Sequence, residues 1–221
     1  PWVDSIPALR REPAAAPVDP DSIPDPLAIL QTLRRLTPDD TIVATDVGQH
    51  QMWTAQHFPF TQPRTLLTSG GLGTMGYGLG AAIGAQCGMP ERRVVLISGD
   101  GSFHMNLNEL TTLASYELPV VVLVMNNQVL GMVRQWQKVF YENRFSSTDP
   151  HRKTDLVKLA EAFGCTGLRI ARASDILPVL QAALGKRGPV VVDCRISPDA
   201  NVLPMIPPGG TVEDMIESMD N

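Results

Sequence analysis

The sequence contains few cysteines, no long apolar segment and no excess of positive charge, and each shortage argues against a class of protein. The three cysteines, Cys87, Cys165 and Cys194, form neither a metal-binding spacing nor a disulfide framework, which fits a reducing compartment. The longest aliphatic run, residues 120–125, is far shorter than the roughly 20 residues that a membrane helix needs. The net charge of −5 argues against nucleic acid as the main partner. We therefore expect neither a membrane nor a nucleic-acid partner.

The length and composition indicate one large globular domain with flanking segments. With 221 residues and 43% hydrophobic content, the chain can bury a sizeable core. We expect a proline-rich linker over residues 1–25 that follows an upstream domain, a folded domain over residues 26–197, and a covering tail over residues 198–221. No signal peptide is visible, although the chain starts at Pro1 and not at methionine, so we expect a cytoplasmic location if the protein is bacterial.

Apolar runs alternate with segments of helical spacing along most of the chain. Residues 93–98 and 119–125 are continuous apolar runs, which are typical of strands buried on both faces of a parallel sheet. Between them, leucines recur at helical spacing, and the same alternation continues to residue 192. The pattern predicts an α/β fold with a mostly parallel sheet and helices on both faces.

Polar residues follow both of these predicted strands. Asp100 stands between Gly99 and Gly101, and Asn127 follows the next strand. Carboxylate and amide oxygens suit Mg²⁺, and the flanking glycines let the backbone approach an anion closely. We expect the helix after this turn to begin near Asn106. Either segment alone is also typical of an ordinary turn, so the pairing carries the prediction.

A glycine-rich stretch leaves a second interpretation open. Residues 71–76 match the pattern G-x-G-x-x-G, and Asp100 ends the next strand, which is the order found in NAD-type oxidoreductase domains. That interpretation leaves Asn127 and His50 without a role. We expect His50 to lie in a loop and to contact phosphate or handle a proton. The apolar residues after Gly131 would by default form a core stripe on a helix.

The motifs together resemble a known family. Gly99-Asp100-Gly101 with Asn127 is similar to the signature of thiamine diphosphate enzymes. Residues 47–53, 69–78, 130–137 and 203–210 resemble the large catalytic subunit of acetolactate synthase (acetohydroxyacid synthase). The resemblance covers residues 25–215 and implies the family's C-terminal diphosphate-binding domain and fold.

The resemblance implies a cofactor site for thiamine diphosphate and Mg²⁺. Its metal ligands would be the side chains of Asp100 and Asn127 and the backbone carbonyl of Val129. Gln49 and His50 would hold the diphosphate, and Met75 would force the cofactor into a bent shape. The implied cofactor-binding residues are Val47, Gly48, Gln49, His50, Gly73, Met75, Gly99, Asp100, Gly101, Ser102, Asn127, Val129, Leu130, Gly131 and Met132.

The implied reaction joins two small 2-ketoacids. Pyruvate would condense with pyruvate or 2-ketobutyrate with loss of CO₂, in branched-chain amino acid biosynthesis. Met132, Val133 and Trp136 would shape the substrate pocket, and Trp136 would select the size of the acceptor. Family members act as homodimers or tetramers, some with a regulatory small subunit.

The resemblance also implies that essential parts lie elsewhere. The family's activating glutamate belongs to the N-terminal domain of a partner subunit, and no glutamate here lies in a similar segment. Most of the family's FAD is bound by another domain. We therefore expect no catalytic residue in this chain and no activity from the chain alone. A glyoxylate- or sulfoacetaldehyde-type carboligase and a non-enzymatic assembly module remain alternatives.

Overall fold

A parallel six-stranded sheet organises the chain. The computed structural model describes residues 2–5 and 19–219. The strands are β1 (Ile42–Thr45), β2 (Leu66–Leu67), β3 (Val94–Gly99), β4 (Val121–Asn126), β5 (Thr166–Ile170) and β6 (Val190–Arg195). Their order is β2-β1-β3-β4-β6-β5, and every neighbouring pair is parallel. This confirms the predicted α/β class.

Eight α-helices connect or flank the strands within the described residues. They are α1 (Pro26–Leu36), α2 (Gln49–His57), α3 (Tyr77–Gly88), α4 (Asp100–Asn106), α5 (Leu110–Ser115), α6 (Gly131–Phe140), α7 (Leu156–Ala162) and α8 (Ile176–Leu184). Short 3₁₀ helices cover Trp2–Ser5, Leu107–Glu109, Ala173–Asp175 and Val212–Asp214. None of the helices among these residues is long and apolar enough to cross a bilayer.

The central strands bury alternate residues on opposite faces of the sheet. In β3, Val95 and Ile97 pack into a core with α1, α2 and α8, whereas Val94 and Leu96 pack into a second core with α3, α4, α5 and α7. This follows from the period-two geometry of a strand, and it explains why β3 and β4 are apolar without interruption. The helices therefore cover both faces, as predicted.

Two helices begin earlier than the sequence suggested. α4 starts at Asp100, six residues before the expected start near Asn106, because Gly99 is extended and serves as its N-cap. α2 starts at Gln49, so the prediction of a loop around His50 was wrong. In both cases polar residues that were read as loop residues occupy the first turn of a helix. Their backbone N–H groups lack acceptors within that helix.

Parts of the predicted linker and tail contact the domain. Ser22 and Pro20 accept backbone hydrogen bonds from Ala173 and Ser174, so the chain is attached to the domain before α1 begins. Residues 6–18 of the predicted linker lie outside the described residues. In the tail, Met205 and Ile216 form a two-residue antiparallel bridge. The domain boundaries proposed from the sequence stay predictions.

The Asp46 carboxylate organises the glycine-rich loop. Asp46 follows β1 and is 1% exposed. Its Oδ1 accepts hydrogen bonds of 2.9 Å from the backbone N–H groups of Gly76 and Gly78, and its Oδ2 accepts one of 2.7 Å from Ser98 Oγ. Gly76 has φ +90°, which favours glycine. The carboxylate therefore sets where α3 begins beside β1 and β3.

We predict that Asp46→Ala lowers the free energy of unfolding by about 2–4 kcal/mol, because three donors, two of them buried, would lose their acceptor. Urea unfolding followed by circular dichroism measures the change. Asp40→Ala is the control, since the Asp40 side chain is 49% exposed and its one ion pair within the described residues is a 3.7 Å contact with Arg92. Equal losses in the two variants would contradict this role of Asp46.

Candidate functional site

A cleft opens where β1, β3 and β4 end. These strands are adjacent in the sheet, and the carboxyl ends of parallel strands are the usual place for a ligand in an open α/β sheet. Gly99 pairs with Met125 in the register of β3 and β4, so Asp100 and Asn127 leave neighbouring strand ends. The cleft is lined by Val47, Gly48, Gln49, His50, Trp53, Met75, Gly99, Asp100, Gly101, Ser102, Met125, Asn127, Val129, Leu130, Gly131, Met132, Val133 and Ile196.

Asp100 is the carboxylate of the cleft. Its side chain is 5% exposed, and its Oδ2 accepts a 2.7 Å hydrogen bond from Arg152 Nη1. Burial raises the pKa of Asp100, and the electrostatic interactions with Arg152 and His104 oppose that rise. The His104 ring also hydrogen-bonds to the Asp100 carbonyl at 2.7 Å. Asp100 is thus a buried acid with a single cationic side chain bonded to its carboxylate.

Asn127 is held in place by a network of side-chain amides. Its Nδ2 donates to Gln49 Oε1 at 3.2 Å, and its Oδ1 accepts from the Val129 backbone N–H at 3.2 Å. Gln49 Nε2 in turn donates to Gln135 Oε1 and to the Ala200 carbonyl. Both N–H donors of Gln49 are therefore already bonded. In this arrangement Gln49 orients Asn127 rather than presenting a donor to the cleft.

His50 carries an unpaired nitrogen at the cleft. Its Nε2 is buried and has no hydrogen-bond partner among the described residues. Burial lowers the pKa of His50 to about 3, and a hydrogen bond with the Asp46 backbone opposes this only in part. The imidazole is therefore neutral near pH 7. A ligand that accepts a hydrogen bond could satisfy Nε2 if that atom carries the proton.

Glycines make room for the side chains around the cleft. A Cβ on Gly99 would lie 2.7 Å from His50 Nδ1, and one on Gly131 would overlap Gln49 Oε1. A Cβ on Gly101 would lie 3.0 Å from Leu130 and 3.5 Å from the Met75 methyl group. The contacts at Gly99 and Gly131 are closer than packed atoms tolerate, and the 3.0 Å contact at Gly101 is tight, whereas 3.5 Å is an ordinary van der Waals distance. The glycines keep the site open rather than merely flexible.

A wider pocket adjoins the cleft along α6. It is lined by Met132, Val133, Trp136, Gln137, Tyr141 and Arg144, and it shares Met132 and Val133 with the cleft. Val133 is 50% exposed and Trp136 is 38% exposed. The default interpretation of these residues as a core stripe was therefore wrong. Trp136 instead packs edge-on against Phe140, with ring centroids 5.4 Å apart.

The strand order argues against the NAD-type interpretation. The glycine-rich loop follows β2, which is an edge strand, whereas Asp100 follows β3, and β1 lies between the two. In a dinucleotide-binding fold the acidic residue ends the strand beside the one that carries the glycine loop. The pattern at residues 71–76 is present in the sequence, but in the described sheet the strand before it is not adjacent to the strand that ends at Asp100.

Comparison with known proteins decides the family. The model of the family described as "Thiamine pyrophosphate enzyme, C-terminal TPP binding domain" matches residues 46–194. Thiamine pyrophosphate is another name for thiamine diphosphate. The chain belongs to this family. The matched range contains β2, β3, β4 and β5 in full and β6 without its last residue, whereas β1 ends just before it.

Several curated relatives of this TPP-binding domain are named as large or catalytic subunits of acetolactate synthase. The chain is 46% identical to the acetolactate synthase isozyme 2 large subunit of Escherichia coli, over 90% of this chain and 36% of the relative. It is 42% identical to the acetolactate synthase large subunit of Corynebacterium glutamicum, over 97% of this chain and 35% of the relative. It is 41% identical to the mitochondrial catalytic subunit of acetolactate synthase from Saccharomyces cerevisiae, over 97% of this chain and 32% of the relative. The chain thus spans about a third of these relatives.

The fold of the TPP-binding domain gathers nearly all the residues that the sequence singled out. Every expected cofactor-binding residue lines the cleft except Gly73, whose φ of +63° belongs to the glycine-rich loop. Trp136, expected in the substrate pocket, lines the adjoining pocket. The lining residues that the sequence analysis did not single out are Trp53, Met125 and Ile196. The chemical roles of these residues stay predictions.

Sequence reasoning missed Arg152 and Gln135. Arg152 is 52 positions from Asp100, and Gln135 is 86 positions from Gln49, so no local spacing connects these pairs. Gln135 was overlooked although it is 1% exposed within an otherwise partly exposed helix. A polar residue on the buried side of an amphipathic helix is the only local signal that could have indicated it.

We predict that His50 makes folding of the TPP-binding domain sensitive to acid. Its folded-state pKa of about 3 lies below the unfolded value of 6.5, so the unfolded chain takes up the proton first. Stability from this group is complete above pH 6.5 and is lost as the pH falls towards 3. Between pH 6.5 and 5 the loss should reach about 2 kcal/mol.

The measurement is urea unfolding at several pH values for the wild type and for His50→Asn. The variant should lack this part of the pH dependence. His151→Asn is the matched control, because the His151 side chain is 85% exposed. A variant whose unfolding free energy falls with pH as steeply as that of the wild type would rule out His50 as the source.

Proposed function

We propose that this chain is the thiamine diphosphate- and Mg²⁺-binding domain of an acetolactate synthase large subunit. The observation that carries the proposal is the meeting of Asp100 and Asn127 at the ends of adjacent parallel strands, in one cleft with the unpaired Nε2 of His50. Membership of the TPP-binding family and the acetolactate synthase relatives support it.

The residues present fit a magnesium site that a cofactor completes. Asp100 supplies a carboxylate, Asn127 an amide oxygen, and the third ligand would be the backbone carbonyl of Val129. The bond from Asn127 Nδ2 to Gln49 fixes the orientation of the amide, and Oδ1, which accepts one hydrogen bond from the Val129 N–H, has a second lone pair for a metal. Among the described residues there is no group of three or more His, Cys, Asp or Glu side chains that could hold a metal ion. A single carboxylate fits Mg²⁺ that draws its other ligands from phosphate and water.

The opposite wall of the cleft suits the diphosphate. The one buried nitrogen there without a partner is His50 Nε2. Neutral His50 would donate to a phosphate oxygen in the tautomer with its proton on Nε2, which gives up the hydrogen bond that the ring donates to the Asp46 backbone. The backbone N–H groups of Gly101 and Ser102 lie in the first turn of α4 and lack acceptors within that helix. Gln49 acts through Asn127, since its own donors are bonded to Gln135 and Ala200.

The reaction we propose is the condensation of pyruvate with a second pyruvate or with 2-ketobutyrate, with release of CO₂. When bound, thiamine diphosphate supplies the electron sink that stabilises the carbanion left by decarboxylation. Met75 contacts the cleft from the glycine-rich loop and would press the cofactor into its bent shape. Met132 and Val133 would line the substrate's path, and Trp136 would limit the size of the acceptor.

We propose that the remaining functions of the enzyme reside outside these residues. No glutamate lines the cleft among the described residues, and the family's activating glutamate would come from an N-terminal domain of a partner subunit. Binding of FAD, assembly into a homodimer or tetramer, and contact with a regulatory small subunit belong to the same proposal. Its basis is that the chain spans about a third of its relatives.

We predict that Asp100→Ala abolishes Mg²⁺-dependent binding of thiamine diphosphate in the protein that contains this chain. The variant loses the only carboxylate that lines the described cleft. Isothermal titration calorimetry with thiamine diphosphate, with and without Mg²⁺, measures the loss. Asp40→Ala serves again as the control, because Asp40 does not line the cleft and lines a different pocket.

The same titration with NAD tests the alternative interpretation. We expect no binding of NAD to the wild type. Binding of NAD that does not depend on Mg²⁺, together with no binding of thiamine diphosphate, would overturn the proposed function.

We predict that the purified 221-residue chain alone forms no acetolactate from pyruvate, because the activating carboxylate would be missing from the site. A colorimetric assay for acetolactate with Mg²⁺ and thiamine diphosphate checks this. The positive control is an active large subunit, such as a full-length relative. Acetolactate formation above background by the 221-residue chain would contradict this part of the proposal.

A further inference from the structure

Arg152 forms an ion pair with Asp100, the carboxylate that would bind the metal in the proposed function. Arg152 Nη1 lies 2.7 Å from Asp100 Oδ2, and the two side chains are 20% and 5% exposed. The other guanidinium nitrogen of Arg152, Nη2, lies 3.6 Å from where a Cβ on Gly101 would stand. The positive charge of Arg152 is therefore at the edge of the cleft, beside Asp100 and the first turn of α4.

The chain around Arg152 is attached to the domain at its two ends. Thr148 accepts a hydrogen bond from the Leu130 N–H through its carbonyl, and the Thr154 hydroxyl contacts His104. Between these points, the pair with Asp100 is the only hydrogen bond or ion pair from residues 149–153 to any other part of the described chain. Arg152 can thus leave Asp100 without breaking another such contact.

The carboxylate of Asp100 cannot serve the arginine and a divalent cation equally well. Mg²⁺ demands near-ideal octahedral geometry and close oxygen ligands, and with Oδ2 bonded to Arg152 only Oδ1 of this carboxylate is left for it. Two cations sharing one buried carboxylate would also repel each other strongly, because the low local dielectric weakens screening. Without either cation, Asp100 would be a buried charge with no partner, which is costly.

We propose that Arg152 is a residue of the cofactor site that pairs with Asp100 when no metal is bound and is displaced when Mg²⁺ and thiamine diphosphate bind. This inference rests on the proposed function. Loading of the site is then an exchange of one cation for another. Arg152 stabilises the unloaded cleft and weakens the apparent affinity for Mg²⁺, so it sets the concentration at which the site fills.

The test is a Mg²⁺ titration at saturating thiamine diphosphate, in the full-length protein, with tryptophan fluorescence as the readout. Trp53 lines the cleft and reports on its occupation. The variants are Arg152→Gln, Arg152→Lys and the matched control Lys153→Gln. Lys153 is the exposed neighbour, so its replacement removes the same charge from the same segment.

We expect Arg152→Gln to lower the half-saturating Mg²⁺ concentration by about ten-fold, since no ion pair must be broken during loading. Lys153→Gln should leave the half-saturating Mg²⁺ concentration within about two-fold of the wild-type value. That change is much smaller than a tenfold one, which corresponds to about 1.4 kcal/mol. Arg152→Lys keeps the charge and should fall between these results. Without metal, Arg152→Gln should also unfold at a lower temperature than the wild type, and saturating Mg²⁺ and thiamine diphosphate should remove that difference.

Two outcomes would overturn the inference. The first is an unchanged or raised half-saturating concentration in Arg152→Gln. The second is a loss of thermal stability that persists in the loaded protein, which would make Arg152 a structural residue. Failure of the proposed function is distinct, because the wild type itself would then show no Mg²⁺-dependent binding of thiamine diphosphate.

Discussion

The parallel pairing of β3 with β4 is the constraint on which the rest of the site depends. These strands are apolar on both faces, so each is fixed in the sheet by side chains buried above and below it. The register pairs Gly99 with Met125, and the polar residues that follow must then emerge side by side. A one-residue slip would exchange the two buried faces of the strand, and this makes the position of Asp100 relative to Asn127 robust.

Around that pair, neutral side-chain amides orient one another and hold Asn127 in place. Gln49, Gln135 and Asn127 form a chain of amide hydrogen bonds that leaves few choices of orientation for any of them. Glycines at 99, 101 and 131 allow this chain and the His50 ring to approach the backbone. Because buried polar networks are costly when incomplete, the arrangement favours a single conformation of the cleft.

The sequence predicted much of this architecture, and its failures have physical causes. The parallel sheet followed from uninterrupted apolar runs in β3 and β4, and the meeting of Asp100 with Asn127 followed from their positions after those runs. The starts of α2 and α4 were missed because glycine before a polar residue is as typical of a turn as of a helix N-cap. Arg152 could not be predicted, since its irregular segment carries no periodicity that relates it to Asp100.

The tail after β6 does more than cover the sheet. Gln135 bonds to both the N–H and the carbonyl of Val202, and Gln49 bonds to the carbonyl of Ala200. Three backbone groups of the tail therefore complete the amide chain that ends at Asn127. A shortened protein that ended soon after β6 would keep its sheet. It would lose the backbone groups that bond to Gln49 and Gln135 and thereby help to hold Asn127, a proposed metal ligand. The smallest unit that can form this site is longer than the smallest unit that can form this fold.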